Sequence, residues 1–305
     1  MRRYILNRIL LGIITLIGVS IIVFVVSRIS GDVVVLYAPA GSSPEVLQAF
    51  RVKLGLDKSL PEQYIIFVNN ALHGDFGTSI SAGRPVMEII LGRLPRTLEL
   101  GLISFVVGNF LGLALGILAA TKRGTIFDWG STALSLLGQA LPGFWLAIML
   151  MMIFAVKLHW LPTSGIGGIN HLILPVAATS WFSVAFTLRL TRSSMLDVMD
   201  SEYVKMARIK GVPERVVIWK HALRNALIPV TTMAGMQLAM VIGGLAFTET
   251  VFNWPGIGIL MVNSISSLDY PMVQAIAVIV AAGVIIINLL VDLLFVVIDP
   301  RIKYE

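Results

Sequence analysis

The sequence predicts an all-α polytopic membrane protein with six transmembrane helices, and three observations carry that prediction. The first is composition: 57% of the 305 residues are hydrophobic, 13% are charged and the mean hydropathy is +0.88. A soluble domain holds about 25% charged and roughly 45 to 50% apolar residues. The second is a succession of charge-free runs near the 20 or so residues that cross a bilayer. The third is the placement of Lys and Arg, which collects on one side of those runs as cytoplasmic loops require.

The first span lies between Arg8 and Arg28, and the second runs from Leu100 to Thr121. The third lies between Asp128 and Lys157, and the fourth, shorter, from about Leu172 to Leu188. The fifth covers roughly Leu227 to Thr248 and the sixth Met272 to Ile298, interrupted by Asp292. Gly138, Pro142 and Gly143 are expected to break the third helix and Pro175 the fourth, breaks that neighbouring helices or a water-filled cavity can satisfy. The small-x-small pattern Ala38-Pro39-Ala40 follows the N-terminal run, but that run is too long for a signal peptide's apolar region of about 7 to 15 residues. An uncleaved first span is expected.

With the N-terminus inside, the cytoplasm receives Arg2, Arg3 and Arg8, then Lys122 and Arg123, eight cations between Arg189 and Arg224, and Arg301 with Lys303. These are 15 of the 23 Lys and Arg. The outer connections at 157–171 and 249–271 carry one Lys and no Arg. The segment from about 30 to 96 also falls outside with six, and loops beyond about 60 residues are exempt from the rule. Both termini are then cytoplasmic. The net charge of +6 reads as an orientation signal, not as nucleic-acid binding.

The outer segment has structure of its own. "SPEVLQAFRVKLGL" and "PEQYIIFVNNALHG" each place Pro in the first turn of a short amphipathic helix, and "GDFGTSISAGRP" follows as a Gly/Ser loop. A lid packed on the bundle and an entrance that receives a partner would both use such helices.

Within the spans, Ser104, Gly108, Gly112, Gly116 and Ala120 put a small residue at every fourth position of the second helix, a face that allows close backbone approach. Packing within the subunit is the default expectation for it. Polar groups at membrane depth include Glu99, Gln139, Gln237, Glu249, Asn288 and Asp292, and such groups are functional candidates because burying them in lipid is costly. Glu99 and Glu249 are expected at the outer interface, while Asn288 and Asp292, four apart on one face, suit interhelix hydrogen bonding. Gln139, Pro142, Gln237 and Glu249 are the candidates for a translocation path.

Enzyme signatures are missing from the sequence. It has no G-x-x-x-x-G-K-[ST], no H-E-x-x-H and no G-x-S-x-G. Cysteine is absent, so there is no disulfide frame or thiolate site, and His73, His159, His171 and His221 fall on separate loops. No string of buried Asp, Glu and His of the kind used by proton-driven carriers is present. No catalytic residue, metal ligand or cofactor of the chain's own is expected.

The most charged stretch is "EYVKMARIKGVPERVVIWKHALRNALIPV", residues 202–230, with six Lys/Arg and two Glu. Asp200-Ser201 offers an N-cap, Glu202 suits the positive helix end, and the helix runs to Lys210 before Gly211, a residue that tolerates φ > 0. Pro213 then begins a second helix. Val204, Ala207 and Ile209 with Val216, Val217 and Trp219 are expected to form an apolar side, with Arg208, Lys210, Glu214 and Arg215 near the corner. A rigid corner projecting from the membrane is a docking surface. A DNA-binding helix-turn-helix is disfavoured, because its second helix must be free to enter the major groove and here it runs into the fifth span.

The corner resembles the EAA loop of binding-protein-dependent ABC importer permeases, in the variant of the dipeptide, oligopeptide, nickel and glutathione branch. The match is "EYVKMARIKG" followed by "KHALRNALIPV", supported by "GRPVMEIILGRLPRTLEL", "ALPGFWLAIML", "ETVFNWPGIG" and "NLLVDLLFVVIDPRIKY" in that order. The sequence departs from the general pattern in keeping only Ala207 of Lys205-Met206-Ala207, in placing Pro229 18 residues after Gly211, and in lacking both prolines of the Pro-Gly-Asp-Pro that often follows the first span.

The resemblance implies a type I, MetI-like core at 97–298 containing the coupling loop 192–229, after a first helix at 1–30 and an extracytoplasmic segment at 31–96, with a cytoplasmic tail at 299–305. It implies a location in the cell's inner membrane and four partners: a homologous second permease, two cytoplasmic ATPase subunits that bind the ATP, and an extracytoplasmic solute-binding protein. Glu202, Tyr203, Ala207, Lys210, Gly211, Val212 and Pro213 would form the contact that couples ATPase closure to the transmembrane halves. Di- or oligopeptides are the expected solutes, with glutathione or a nickel chelate as rivals. A standalone channel or scaffold would leave the basic corner unexplained.

Overall fold

A computed structural model describes residues 2–29, 34, 38, 41–53, 55–243 and 245–298, and among them it contains helices, one isolated antiparallel bridge (Thr78 to Pro85) and no strand. The tail expected at 299–305, Pro39-Ala40 of the small-x-small pattern and most of "RISGDVV" lie outside the described residues.

The chain begins with α1 (Arg2–Ile29), α2 (Pro44–Lys53), α3 (Leu60–Leu72), α4 (Val86–Thr121) and α5 (Ile126–Ala140). Next come α6 (Gly143–Leu150), which widens into π-helical turns over Met151–Lys157, and α7 (Asn170–Met199). The corner comprises α8 (Glu202–Ile209), α9 (Glu214–Val216) and π-helical turns over Val217–Ala222, which lead into α10 (Leu223–Gly243). The chain then forms α11 (Ala246–Val251), α12 (Ile257–Ser266) and α13 (Tyr270–Ile298).

Among the described residues four helices are long and apolar enough to cross a membrane: Ile5–Ile29 of α1, α4, α7 and Tyr270–Leu293 of α13. A fifth is added if α5 and α6, bent by 108° at their junction, count as one span. The break is where Pro142 predicts it. Leu141 and Pro142 are extended (ψ 128° and 132°), since the proline ring disfavours helix in the residue before it. Gly138 is a correction: it lies inside α5, where a Cβ would collide with that of Ala185 and stand 3.3 Å from Trp181 Nε1. It is a packing glycine.

Three boundaries also differ from expectation. α4 starts at Val86, well before Leu100, and runs through Pro95. α7 continues past Leu188 to Met199 and is not broken at Pro175. That proline sits in the second turn, where its missing N–H removes a single ladder bond near the helix start. The two short helices expected after the first span form, α3 with a capping box in which the Ser59 backbone N–H and hydroxyl donate to Glu62 at 3.0 and 2.8 Å.

The chain divides into two compact units. The first comprises Met1–Thr97 with Pro255–Leu289. Its core joins the start of α4 to α12 and α13 through Val86, Ile90, Ile257, Met272 and Ile276. α3 docks on α1: Tyr64 and Ser20 hydroxyls bond at 2.8 Å, Arg28 Nε donates to Gln63 Oε1 at 2.9 Å, and Phe24 meets Tyr64 edge-on at 5.4 Å. Most of α1's remaining apolar surface is exposed, as lipid contact allows.

The second unit is Leu98–Trp254 with the end of α13. Here the small-residue face of α4 meets α7. A Cβ on Gly108 would lie 2.8 Å from Ser183 Cβ, one on Gly112 2.7 Å from Thr187 Cβ, and one on Gly116 2.5 Å from Thr191 Cβ. The partners rise in step, so the two helices run in the same direction with their backbones in close approach. The packing is within the subunit, as expected.

Candidate functional site

The corner is built from local rules. α7 ends at Met199, and Ser201 takes the extended N-cap conformation (φ −72°, ψ 153°) before α8. Its hydroxyl turns back to donate to Val198 O at 2.5 Å, so the cap is made by backbone shape and not, as expected, by the side chain. α8 closes with the paired bonds of a Schellman motif: Val212 N–H donates to Ala207 O at 3.2 Å and Gly211 N–H to Arg208 O at 2.9 Å. Gly211 stands at φ +77°, as that motif requires. Pro213 is the N-cap of α9 (φ −56°, ψ 138°), one position earlier than its expected place inside the helix.

Two cross-braces set the angle between the arms. Arg208 forks onto Glu214, Nη2 to Oε1 at 2.8 Å and Nε to Oε2 at 3.1 Å, and its Nη1 reaches Met199 O at 3.3 Å. The Arg208 hydrogen bonds hold the Glu214 carboxyl below the usual carboxylate range, and Glu214 in turn raises Arg208. Tyr203 donates its hydroxyl to His221 O at 3.3 Å and accepts from Asn225 Nδ2 at 2.7 Å, joining α8 to the second arm. Glu202 accepts from Lys205 Nζ at 2.8 Å, a hydrogen bond that raises the lysine's pKa.

The expected apolar side is divided. Val204 and Val217 are fully buried between the arms, while Ile209 (79%) and Trp219 (58%) are exposed together with Met206. Five residues separate Val204 from Ile209, which is about 140° around a helix, so the two cannot share a face. The outward apolar knob is flanked by the exposed cations Lys205, Lys210, Arg215 and Lys220. Glu202, Pro213 and Gly211 are exposed beside it, and Ala207 and Val212 are half-buried.

The four path candidates are held by different neighbours, all in the second unit. Exposed Gln139 accepts from Arg189 Nη1 at 3.3 Å, and Pro142 is exposed at the α5–α6 break. Gln237 accepts from Asn109 Nδ2 at 3.5 Å, and Asn109 Oδ1 accepts from Thr187 at 3.2 Å. Glu249 is fully buried in α11, beside a buried cluster that includes Leu245 and Trp254. Sequence reasoning missed Asn109, whose signal was plain: an amide at mid-span beside the glycine face. It also missed the fork of Arg192 onto Asp128, with bonds of 2.5 and 3.1 Å between α7 and the start of α5. Among the described residues no three His, Asp or Glu side chains converge as a metal would need.

The family described as binding-protein-dependent transport system inner membrane component matches residues 112–304, and its N-terminal companion matches residues 1–101. The chain belongs to this family of transport-system membrane components. Three permeases align with it over all of both chains. They are the oligopeptide transport system permease protein AppB of Bacillus subtilis (strain 168) at 39% identity, and two from Escherichia coli (strain K12). The latter are the glutathione transport system permease protein GsiC at 40% and the dipeptide transport system permease protein DppB at 37%. A crystal structure of an amino acid ABC transporter with histidines shares the permease fold at TM-score 0.56 and 14% identity, covering 68% of this chain and 92% of that one.

Proposed function

We propose that this permease is a membrane-spanning subunit that forms half of the translocation path of an ATP-driven importer for di- or oligopeptides, gripped through its corner by an ATPase subunit. The observation that carries the reading is the corner itself: a two-arm, cross-braced turn that presents Ile209, Met206 and Trp219 outward within a cationic rim and continues through π-helical turns into α10. A braced turn transmits a push as a rigid body, and an exposed apolar knob rimmed by charge suits a protein partner. Glu202, Tyr203, Ala207, Lys210, Gly211, Val212 and Pro213 form or position that contact, with Tyr203 acting through its bonds to the second arm.

Six crossings are α1, α4, the broken pair α5–α6, α7, α10 and α13. The 21 residues of α10 span about 31 Å, enough for the hydrocarbon core. Both termini and the corner lie in the cytoplasm, and residues 31–96 face outward to meet a solute-binding protein. The core at 97–298 pairs with a homologous second permease and lines half of the path. Nucleotide is bound by the ATPase subunits, and the chain itself carries no cofactor and is not an enzyme. Peptide transport is favoured by the relatives named for oligopeptides and dipeptides. Glutathione, itself a small peptide, is the second reading, supported by the 40% relative.

The test is purification of the tagged chain from its native membrane, followed by reconstitution with whatever copurifies. ATPase chains, a second permease and ATP-dependent uptake of labelled dipeptide are expected. Isolation of the chain alone, with passive solute flux, would support a channel and overturn the reading.

A further inference from the structure

Two arginines stand three residues apart in the second half of α7, and the chain treats them differently. Arg192 is half-buried and forked onto Asp128 of α5. Arg189 is exposed, and among the described residues its one hydrogen bond goes to a neutral group, from Nη1 to Gln139 Oε1 at 3.3 Å. Gln139 Nε2 donates to Ser135 O at 3.1 Å, which leaves its oxygen as the end offered to the arginine. Nε and Nη2 of Arg189, the edge that forks onto a carboxylate in Arg192, are therefore unused among the described residues. Asp197, the next carboxylate along α7, lies about 12 Å farther down the axis.

Depth makes an unpaired cation costly there. Gly116 packs against Leu188 O and Thr191, and Gly112 against Leu188 N, so Arg189 is level with residues 112–116 of α4. That level is about 8–14 Å inside the end of the apolar helix at Thr121. Gly138, beside Gln139, packs on Ala185, a turn nearer the start of α7, so the guanidinium reaches toward mid-helix and does not snorkel to the closer end. A charge held at such depth faces a water-filled cavity or a partner group, not lipid. Its face is continuous: Phe182, Phe186, Arg189 and Ser193 fall within about 60° of one another around α7, on the side away from α4. The two rings stack with centroids 6.2 Å apart, and all four residues but half-buried Phe186 are exposed. An aromatic surface thus ends in a cation with a free fork.

We infer that Arg189 binds the α-carboxylate of the solute on the translocation path, with Gln139 as the residue that positions its guanidinium and Phe182 and Phe186 as the surface met by the solute's side chains. It rests on the peptide reading proposed above. Whatever its sequence, a peptide ends in a carboxylate, and the planar guanidinium fork is the side chain that matches a carboxylate with two parallel hydrogen bonds. A site that grips the chain end admits peptides of different sequence.

The chain contains no cysteine, so Ser193→Cys, one turn from Arg189 on the same face, gives a unique thiol in this subunit. In the reconstituted importer that thiol should react at least threefold faster with an anionic than with a cationic methanethiosulfonate of similar size, followed by the mass of this chain. Alanyl dipeptide under transport should slow the anionic reagent at least fivefold. Adding Arg189→Gln should remove both effects and lower dipeptide uptake about tenfold at saturating binding protein, the effect of one charge-assisted hydrogen bond. Arg189→Lys should keep the reagent preference. A thiol that neither reagent reaches while uptake proceeds would mean that lipid or the second permease covers this face, and would overturn the inference. Labelling that prefers the anion but is unchanged by dipeptide would leave Arg189 a cation of the water-filled path that meets no solute, and would overturn it with the peptide reading intact. Full dipeptide uptake by Arg189→Gln would do the same. Failure of the wild-type importer to carry dipeptide would overturn the peptide reading itself.

Discussion

Arg208 and Glu214 face each other across the Gly211 turn and share two nearly parallel hydrogen bonds of 2.8 and 3.1 Å. The pair is partly exposed, with 36% and 54% of the side chains accessible, so its contribution to stability is about 0–1 kcal/mol. Its value is geometric. Because Glu214 titrates below its ordinary range, the bridge is complete above the unfolded carboxylate pKa near 4.3 and is lost as pH falls through the lower folded value. Near neutral pH the pair stays fully charged, so wild-type uptake should show no pH dependence arising from its titration. Arg208→Glu should reduce uptake several-fold, and the double exchange Arg208→Glu with Glu214→Arg should restore most of it. A double variant no better than Arg208→Glu alone would show that the charges meet a partner instead of each other.

Gly211→Leu should abolish ATP-driven uptake while the protein still inserts. At φ +77° a Cβ costs about 1 kcal/mol or more, and relieving that strain opens the Schellman closure at Ala207 and Arg208. Gly211→Asn, which tolerates the left-handed region, should retain part of the activity. Full uptake by a correctly inserted Gly211→Leu protein, with insertion checked by membrane fractionation, would sink the lever.

The contact of Gly116 with Thr191 predicts a different kind of defect. A leucine at 116 forces α4 from α7, because even a Cβ would stand 2.8 Å from Leu188 O. Overpacking of this kind costs about 1–3 kcal/mol. Gly18 on α1 has nothing within 4 Å of a built Cβ, so Gly18→Leu serves as the lipid-facing comparison and should be neutral. Thermal unfolding in detergent should separate the two, and equal midpoints would contradict the close approach.

These cases mark where the sequence was legible. Local chemistry was: Gly211, Pro142 and the four-residue spacing of small residues act through backbone geometry within a few positions, and each falls where it was expected. Helix lengths were not, because α4 extends upstream and α7 downstream of their charge-free cores, where burial against α12, α13 and α10 replaces lipid. Long-range polar partners were illegible for the same reason. Nothing near Asp128 names Arg192, and nothing near Gln237 names Asn109. The apolar side of the corner was misjudged because residue type was read without the 100° step that separates Ile209 from Val204.

Asp269 is the clearest of these long-range cases. It is fully buried, and its carboxylate accepts from the Ser79 hydroxyl at 2.5 Å, the Ser81 hydroxyl at 2.7 Å and three backbone N–H groups, those of Ser81, Ile80 and Met272, at 3.1, 3.2 and 3.4 Å. One side chain thus caps α13 and anchors the Gly/Ser loop that precedes α4. In Asp269→Asn one oxygen can still serve Ile80 and Met272, and the serine hydroxyls can rotate to accept from the new amide. The Ser81 N–H cannot, since it would face another donor, and a buried donor left unpaired costs about 1–3 kcal/mol. Asp269→Asn should therefore speed amide exchange across 79–82 about tenfold or more, and Asp269→Ala should do so further, with exchange in α8 unchanged. If the loop amides kept wild-type protection in both variants, the loop would be held by its own turn, and the capping role alone would remain.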